Sequence, residues 1–243
     1  MIDLSWNPEY THFIVVVLWS AVGFACYYFL SLNKSLSSKF WKFNPNLDDH
    51  VKNIVLQRFW GLLFLGGISS LIVLVFPNGS LGDSGLRFHF HTAPPWWSFL
   101  VVPVILLAGF FNASNPGNLA LYPQIRVKDW TPGILALSSI SWIVFLVAYE
   151  FLFRGFLLFA SLEVMGPVAA IALNCSLYAF AHFYKGPVET FGAIPLGILL
   201  CYITLLTGNI WSAVIIHTVM ALSNEWYSIR ANPDLKLRIK NRD

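Results

Sequence analysis

Charged residues are scarce in this chain. Only 11% of its 243 residues are Asp, Glu, Lys or Arg, whereas soluble domains carry about 25%. Hydrophobic residues make up 57% of the chain, and the mean hydropathy is +0.65. So few charges exclude an ordinary water-soluble domain, and the composition predicts an integral membrane protein whose first partner is the lipid bilayer. Ten Trp residues fit the aromatic belts found at membrane interfaces.

Cysteine is also rare, which excludes a disulfide framework. Cys26, Cys175 and Cys201 all lie in apolar segments and form no CxxC pair, so we interpret them as small buried side chains. The HExxH zinc motif is missing as well. The basic residues are scattered over loops that flank the apolar segments, without interleaved aromatic residues on one face, so we expect no nucleic-acid partner.

The N-terminus lacks a basic region. Its first ten residues include Asp3 and Glu9 but no Lys or Arg, which is not the pattern of a cleavable signal peptide. We therefore expect the first apolar segment to remain as a membrane anchor.

Seven apolar segments predict an all-α membrane protein, a polytopic bundle of about seven transmembrane helices. A spanning helix needs about 20 residues, and the third and sixth segments are the shortest. The segments are His12–Leu32, Val55–Phe76, Trp96–Phe111, Ser141–Leu162, Pro167–Phe183, Phe191–Leu206 and Ile210–Trp226.

The distribution of basic residues predicts the orientation. With the N-terminus outside and the C-terminus inside, thirteen of the fifteen Lys and Arg residues face the cytoplasm. Arg87 alone lies outside, and Arg154 lies in the membrane. Because Lys and Arg favour the cytoplasmic side, we predict this N-out, C-in topology, in a bacterial inner (cytoplasmic) membrane.

The segments divide the chain into three parts. Residues 1–130 hold the first three transmembrane helices and their cytoplasmic loops, residues 131–228 form a four-helix core, and residues 229–243 are a basic cytoplasmic tail. The stretch Gly133–Ile140 either extends the fourth helix or lies along the membrane surface. We expect the fourth span to begin near Ser141, which sets Glu150 inside the membrane.

Ionisable residues inside the apolar segments mark a candidate site. Glu150 and Arg154 lie four residues apart within Ile134–Leu162, so they share one helix face. A charge at a helix centre in lipid costs roughly 2.5–3.5 kcal/mol, and two later segments contain His182 and His217. We interpret the four as a polar site within the bundle, although a purely structural ion pair also explains Glu150 and Arg154.

Two further polar residues share a helix face with His182. Asn174 and Tyr178 precede it by eight and four residues. They either line the same cavity or make hydrogen bonds between helices.

A carboxylate with two imidazoles is typical of hydrolysis. Glu can accept a proton from water, and His can orient that water or stabilise an oxyanion. The same groups are zinc ligands, and their spacing does not separate the two mechanisms. We expect no metal or other cofactor, with a divalent metal such as zinc as the alternative.

The order of three motifs resembles that of a known family. Ala148 to Leu158 is similar to the first motif, EExxxR, of the CPBP intramembrane proteases, which include the CAAX-processing type II proteases and the Abi proteins. Tyr178 to His182 resembles the second motif, FxxxH, and His217 to Ala221 resembles the third, HxxxN. The resemblance covers about residues 140–226. It implies a helical bundle, glutamate-activated water, and an oxyanion pocket of His and Asn; some members cleave prenylated substrates.

The chain departs from the family at two catalytic-type positions. Tyr149 replaces the first glutamate, which is the usual base, and Ala221 replaces the asparagine. Glu150 corresponds to the second glutamate, and Arg154, His182 and His217 carry over.

Three interpretations follow from these departures. Glu150 takes the role of the base after a small helix rotation, Glu189 supplies the carboxylate from a re-entrant loop, or the site is inactive. Asn224, one turn beyond Ala221, is a candidate for the missing amide.

The sequence therefore predicts an intramembrane peptide-bond hydrolase that acts on a membrane-associated protein or peptide. The alternative is a catalytically silent relative that serves as a membrane scaffold or binds a partner. A third interpretation is a small transporter with Glu150 and Arg154 as a relay, but the sequence shows none of the repeats common in transporters.

Overall fold

The fold is almost entirely helical in a computed structural model that describes residues 7–33, 35–36, 39 and 47–238. The prediction of an all-α protein is confirmed. Its α-helices are α1 (Thr11–Ser31), α2 (Asp49–Gly61), α3 (Ile68–Val75), α4 (Ser98–Asn112), α5 (Pro116–Leu121), α6 (Pro132–Glu150), α7 (Leu158–Phe180), α8 (Pro187–Thr207) and α9 (Trp211–Ala231).

Shorter elements join these helices. Two π-helical segments make continuous connections, π1 (Leu62–Gly67) between α2 and α3, and π2 (Phe151–Leu157) between α6 and α7. The 3₁₀ turns are Pro8–Tyr10 and Phe183–Lys185. Two short strands, β1 (Asp129–Trp130) and β2 (Lys236–Leu237), pair in parallel.

Four continuous helices among the described residues are long and apolar enough to cross a membrane. They are Thr11–Ser31, Asp49–Val75, Pro132–Phe180 and Pro187–Thr207. The third has 49 residues and would measure about 70 Å if straight, more than twice the ~30 Å hydrocarbon core. Gly166 breaks it with a φ of 75° just before Pro167. An integral membrane protein is thus supported, and the count of seven spans stays a prediction.

Part of the topology prediction concerns residues outside the description. Lys34, Lys42, Lys240 and Arg242, with the tail beyond residue 238, belong to this group. Arg58, which we assigned to the cytoplasmic residues that flank a span, lies within the continuous helix Asp49–Val75 and is 4% exposed. Its guanidinium therefore has polar partners inside the bundle, and its place on the cytoplasmic side stays a prediction.

The start of α6 lies earlier than expected. Thr131 caps the helix, since its hydroxyl accepts a hydrogen bond from the Ile134 amide at 3.3 Å, and Pro132 is the first helical residue. Proline is favoured there because its missing N–H has no helical partner. Gly133–Ile140 therefore extends the fourth helix, and Ser141 lies well inside it.

The protein core surrounds the junction of α6 and π2. Every residue from Ala148 to Leu158 is buried, and the main hydrophobic cluster joins this junction to side chains of α1, π1, α7 and α9. Because the junction is enclosed on all sides, the polar side chains of Glu150 and Arg154 must find partners within the protein.

The loops gather at two ends of the bundle. At one end, the Ile210 amide donates to the Gly85 carbonyl at 3.1 Å, and Trp211 Nε1 donates to the Arg87 carbonyl at 2.9 Å. At the other end, Asn118 Nδ2 donates to Ser228 Oγ at 2.8 Å, and strands β1 and β2 pair. Contacts with distant loops thus hold both ends of α9.

Two adjacent glycines of π1 provide a test of this packing. A Cβ at Gly66 would lie 2.8 Å from Ala148 Cβ, whereas a Cβ at Gly67 meets nothing nearer than 3.7 Å. Because core overpacking costs about 1–3 kcal/mol, we expect Gly66→Ala to lower the thermal midpoint in detergent. The matched control, Gly67→Ala, should match or exceed the wild type, since alanine favours helix. Equal midpoints for the two variants would contradict the close approach of π1 and α6.

Candidate active site

A carboxylate–imidazole hydrogen bond lies at the centre of the buried polar cluster. Glu150 is the last residue of α6, and its Oε1 accepts a hydrogen bond from His217 Nδ1 on α9 at 2.5 Å. The residues are 67 positions apart in sequence. The structure thus brings together two of the four predicted catalytic residues in direct contact.

Arg154 balances the charge of Glu150. Its Nε lies 3.3 Å from Glu150 Oε2, and both side chains are fully buried. The contact is a close ion pair rather than an aligned hydrogen bond, because neither atom meets the geometry of one. An uncompensated charge in this position would be very costly, so the pair makes burial of the carboxylate feasible.

The aromatic ring of Tyr178 packs against the guanidinium of Arg154. The guanidinium carbon lies 4.0 Å from the centroid of the Tyr178 ring, a cation–π geometry that stabilises a desolvated cation by about 2 kcal/mol. Gly197 of α8 allows the close approach, since a Cβ there would lie 3.6 Å from Arg154 Nη2 and 3.2 Å from Tyr178. Arg154 is therefore held by π2, α7 and α8 together.

His182 follows the end of α7, close to the same cluster. Its Nδ1 donates to the Tyr178 carbonyl at 2.9 Å, so in the neutral ring Nε2 carries the free lone pair. The ring centroid of Tyr149 lies 6.2 Å from that of His182 and 5.6 Å from that of His217. Tyr149 therefore lies between the two imidazoles.

Both imidazoles line a cavity that opens among the loops at one end of the bundle. The centres of water molecules can occupy about 80 Å³ of it, and one water needs only about 10–15 Å³ by this measure. Several waters therefore fit beside the imidazoles. The polar residues that line it include Gln57, Arg58, Gln124, His182, Lys185, Glu189, His217 and Asn224.

The predicted supporting residues fall into two groups. Tyr149, Glu189 and Asn224 line the cavity, as does Ala221. Asn174 and Tyr178 do not, and they act between helices instead. Asn174 Nδ2 donates to the Phe153 carbonyl at 2.5 Å, and its Oδ1 accepts from Cys201 Sγ at 3.2 Å.

Two expectations about the carboxylates need correction. Glu150 does not line the cavity, because its oxygens face His217 and Arg154 and its side chain is sealed. Glu189 lies in the first turn of α8 rather than in a re-entrant loop, since Pro187 starts the helix two residues earlier.

A second buried polar network was not predicted. Arg58 of α2 donates to the Ser138 carbonyl at 2.7 Å, to Ser141 Oγ at 2.9 Å and to Gln124 Oε1 at 3.0 Å. Glu225 of α9 accepts from Ser138 Oγ at 2.5 Å and from the Gln124 amide at 3.1 Å. The network ties the segment around Gln124 to three helices and fixes one wall of the cavity.

The sequence contained a signal for this network. Arg58 is flanked by Val55, Leu56, Phe59 and Trp60 in an apolar run, as Arg154 is in its own segment. Arg58 lies near the start of its apolar segment, where a basic residue usually faces the cytoplasm, so it was not predicted to be part of a buried network. Glu225 lies near the end of the last apolar segment and was not predicted to be buried either.

A metal site would need several donor side chains close together. Within the described ranges, no group of three or more His, Cys, Asp or Glu side chains is arranged to hold a metal ion.

A helical membrane protein with a buried charged cluster beside a water-accessible cavity is the class that the fold and site define. Within that class, residues 129–223 match the model of a family described as type II CAAX prenyl endopeptidase Rce1-like. The resemblance to the CPBP intramembrane proteases is confirmed over this segment, which contains all three motifs. No curated protein and no solved structure matches the chain significantly.

The buried ion pair predicts a stability pattern. Arg154→Met leaves the Glu150 charge without its compensating guanidinium, so we expect the free energy of unfolding to fall by about 3–5 kcal/mol. The double variant Glu150→Gln, Arg154→Met removes both charges and should regain most of that loss. Denaturant unfolding in detergent measures both values. A single variant as stable as the wild type would show that the pair contributes nothing to the fold.

Proposed function

We propose that the protein is an intramembrane peptidase of the CAAX-protease type. The observation that carries the proposal is the 2.5 Å hydrogen bond between Glu150 and His217 beside a cavity with room for water. A protease family matches the same part of the chain, and the cavity has room for water next to two imidazoles, which peptide hydrolysis requires.

In this proposal Glu150 acts through His217. The carboxylate fixes the ring with Nδ1–H toward Glu150, so Nε2 is directed to the cavity. A protonated Nε2 can donate to the oxyanion that forms when water attacks a peptide carbonyl. Preorganised donors of this kind contribute about 2.7–4 kcal/mol each to catalysis.

His182 has the complementary role. Because its Nδ1–H is used by the Tyr178 carbonyl, neutral Nε2 accepts a hydrogen bond and can orient the attacking water. Asn224 lies on the same cavity as Ala221 and is our candidate for the amide that the third motif lacks.

We further propose the seven-span, N-out and C-in arrangement in a bacterial inner membrane, with the cavity open to the cytoplasm. The contacts of the 85–92 segment with the turn after α8, and of the 118–130 segment with α9 and β2, support alternating helix directions. Residues 131–228 then form the catalytic core, residues 1–130 its first three spans, and residues 229–243 the tail.

Activity should depend on His217 and on the ion pair between Glu150 and Arg154. The probe is an internally quenched peptide that ends in a farnesylated CAAX sequence, incubated with the purified full chain in liposomes. We expect His217→Ala to lower kcat about 10²–10³-fold, the usual cost of one lost oxyanion donor. The stabilised double variant Glu150→Gln, Arg154→Met should lose kcat similarly while remaining folded.

The scaffold interpretation makes the opposite prediction. If the wild type cleaves neither this peptide nor its non-farnesylated twin, and if His182→Ala and His217→Ala both preserve the cellular phenotype, the chain binds a partner without hydrolysis. That pair of results would reject the peptidase.

The topology is tested by thiol labelling of intact cells with a membrane-impermeant maleimide. His89→Cys, in the exposed outer loop, should label above the wild-type background that its three native cysteines set. Lys128→Cys, exposed at the opposite end, should label only after the cells are opened. The reverse pattern would overturn the orientation.

A further inference from the structure

We infer that Glu189 is the general base of the proposed hydrolysis, an inference that rests on the proposed function. Glu150 is fully buried and does not line the cavity, so the proposed hydrolysis needs another group to accept the proton from water. The geometry points to the first turn of α8.

Glu150 is unable to fill this role where it lies. Both of its oxygens face charged or proton-donating partners, His217 at 2.5 Å and Arg154 at 3.3 Å, and the side chain is fully buried. A base must reach the attacking water directly or through one other water, and Glu150 is separated from the cavity by the imidazole it holds.

Glu189 is the carboxylate that does face the cavity. Among the described residues lining that space, it is the one Asp or Glu, and His182 and His217 line the same space. Its side chain is half-buried, and within the described part of the chain no hydrogen bond or ion pair occupies its oxygens. Both oxygens are therefore free to hold water.

The connection between α7 and α8 fixes the position of this carboxylate. Gly186 adopts a φ of 96° and caps α8, and Pro187 is the first helical residue. This turn leads directly from His182 into the helix that carries Glu189.

The charges around the cavity mouth agree with this assignment. Burial raises the pKa of the Tyr122 phenol, the charge of Lys185 lowers it, and the charge of Glu189 raises it further. Lys185, Glu189 and Tyr122 all line the same cavity. Lys185 offsets the charge of the carboxylate without forming an ion pair with it among the described contacts.

The reaction balances with these groups. Glu189 accepts one proton from water as the water oxygen bonds to the peptide carbonyl carbon, and His217 Nε2–H donates to the resulting oxyanion. When the tetrahedral intermediate collapses, the C–N bond breaks and Glu189 returns the proton to the leaving nitrogen. The products are a carboxylic acid and an amine, and no other reactant is consumed.

The test uses the purified full chain in liposomes and the farnesylated CAAX peptide described above. We expect Glu189→Gln to lower kcat about 10²–10⁴-fold, the usual contribution of general acid–base catalysis, with little change in KM. The thermal midpoint should stay at the wild-type value, because the carboxylate makes no hydrogen bond that the variant loses. Glu163→Gln, the same substitution at an exposed acid of α7, is the matched control and should keep wild-type kcat.

Chemical rescue separates a base from a structural residue. Glu189→Ala opens space in a cavity that admits water, so added formate should restore part of its kcat, whereas Glu189→Gln should not respond. A kcat loss without formate rescue, or an effect on KM alone, overturns the assignment.

The outcomes also separate this inference from the function on which it rests. If Glu189→Gln keeps wild-type kcat while His217→Ala is inactive, the peptidase stands and the base lies elsewhere. If the wild type cleaves no peptide, the function and the base assignment both fail.

Discussion

The structure depends on the burial of one carboxylate. Glu150 lies where the chain is enclosed on every side, and it is stabilised by one cation and one imidazole that come from different elements. Because a buried charge tolerates few arrangements, this requirement fixes the register of α9 against α6 and holds π2 against α7 and α8. The cavity is then a consequence of where these helices are held, and the hydrolytic proposal follows from what lines it.

The two buried arginines, Arg154 and Arg58, have different partners in the polar interior. Both guanidinium groups lie over an aromatic ring, Arg154 on Tyr178 and Arg58 on Trp142. Arg154 also meets a carboxylate directly, whereas Arg58 donates to neutral oxygens and is linked to Glu225 through Ser138. The first arrangement places a charged pair beside the proposed catalytic residues, and the second supports the cavity wall near Gln124. A bundle in lipid gains little from apolar contact alone between helices, so such polar ties determine which helix surfaces face each other.

Much of the site could be predicted from the sequence, because ionisable residues in apolar segments are conspicuous. The convergence of Glu150, Arg154 and His217 in one polar cluster was predicted by that reasoning. The separation of Glu150 from the cavity was not predicted, because it depends on the side to which the carboxylate turns, and helical spacing does not specify that side. Glu189 lies at a helix start because Gly186 and Pro187 form the turn that precedes it. The Gly and Pro residues predicted a turn, but they did not predict where it would direct the following helix. The burial of Arg58 was not predicted, because a basic residue near the end of a span was expected to be exposed to solvent.

The π-helical segment π2 has a consequence for comparing this chain with other sequences. An α-helix turns by about 100° per residue, and a π turn accommodates an additional residue within an otherwise α-helical path. A homologue that lacks the widened turn between Phe151 and Leu157 would therefore be one residue shorter there. An alignment without a gap at this point would assign the downstream residues to the wrong face of α7, and equivalences for Asn174 and Tyr178 would shift by one position.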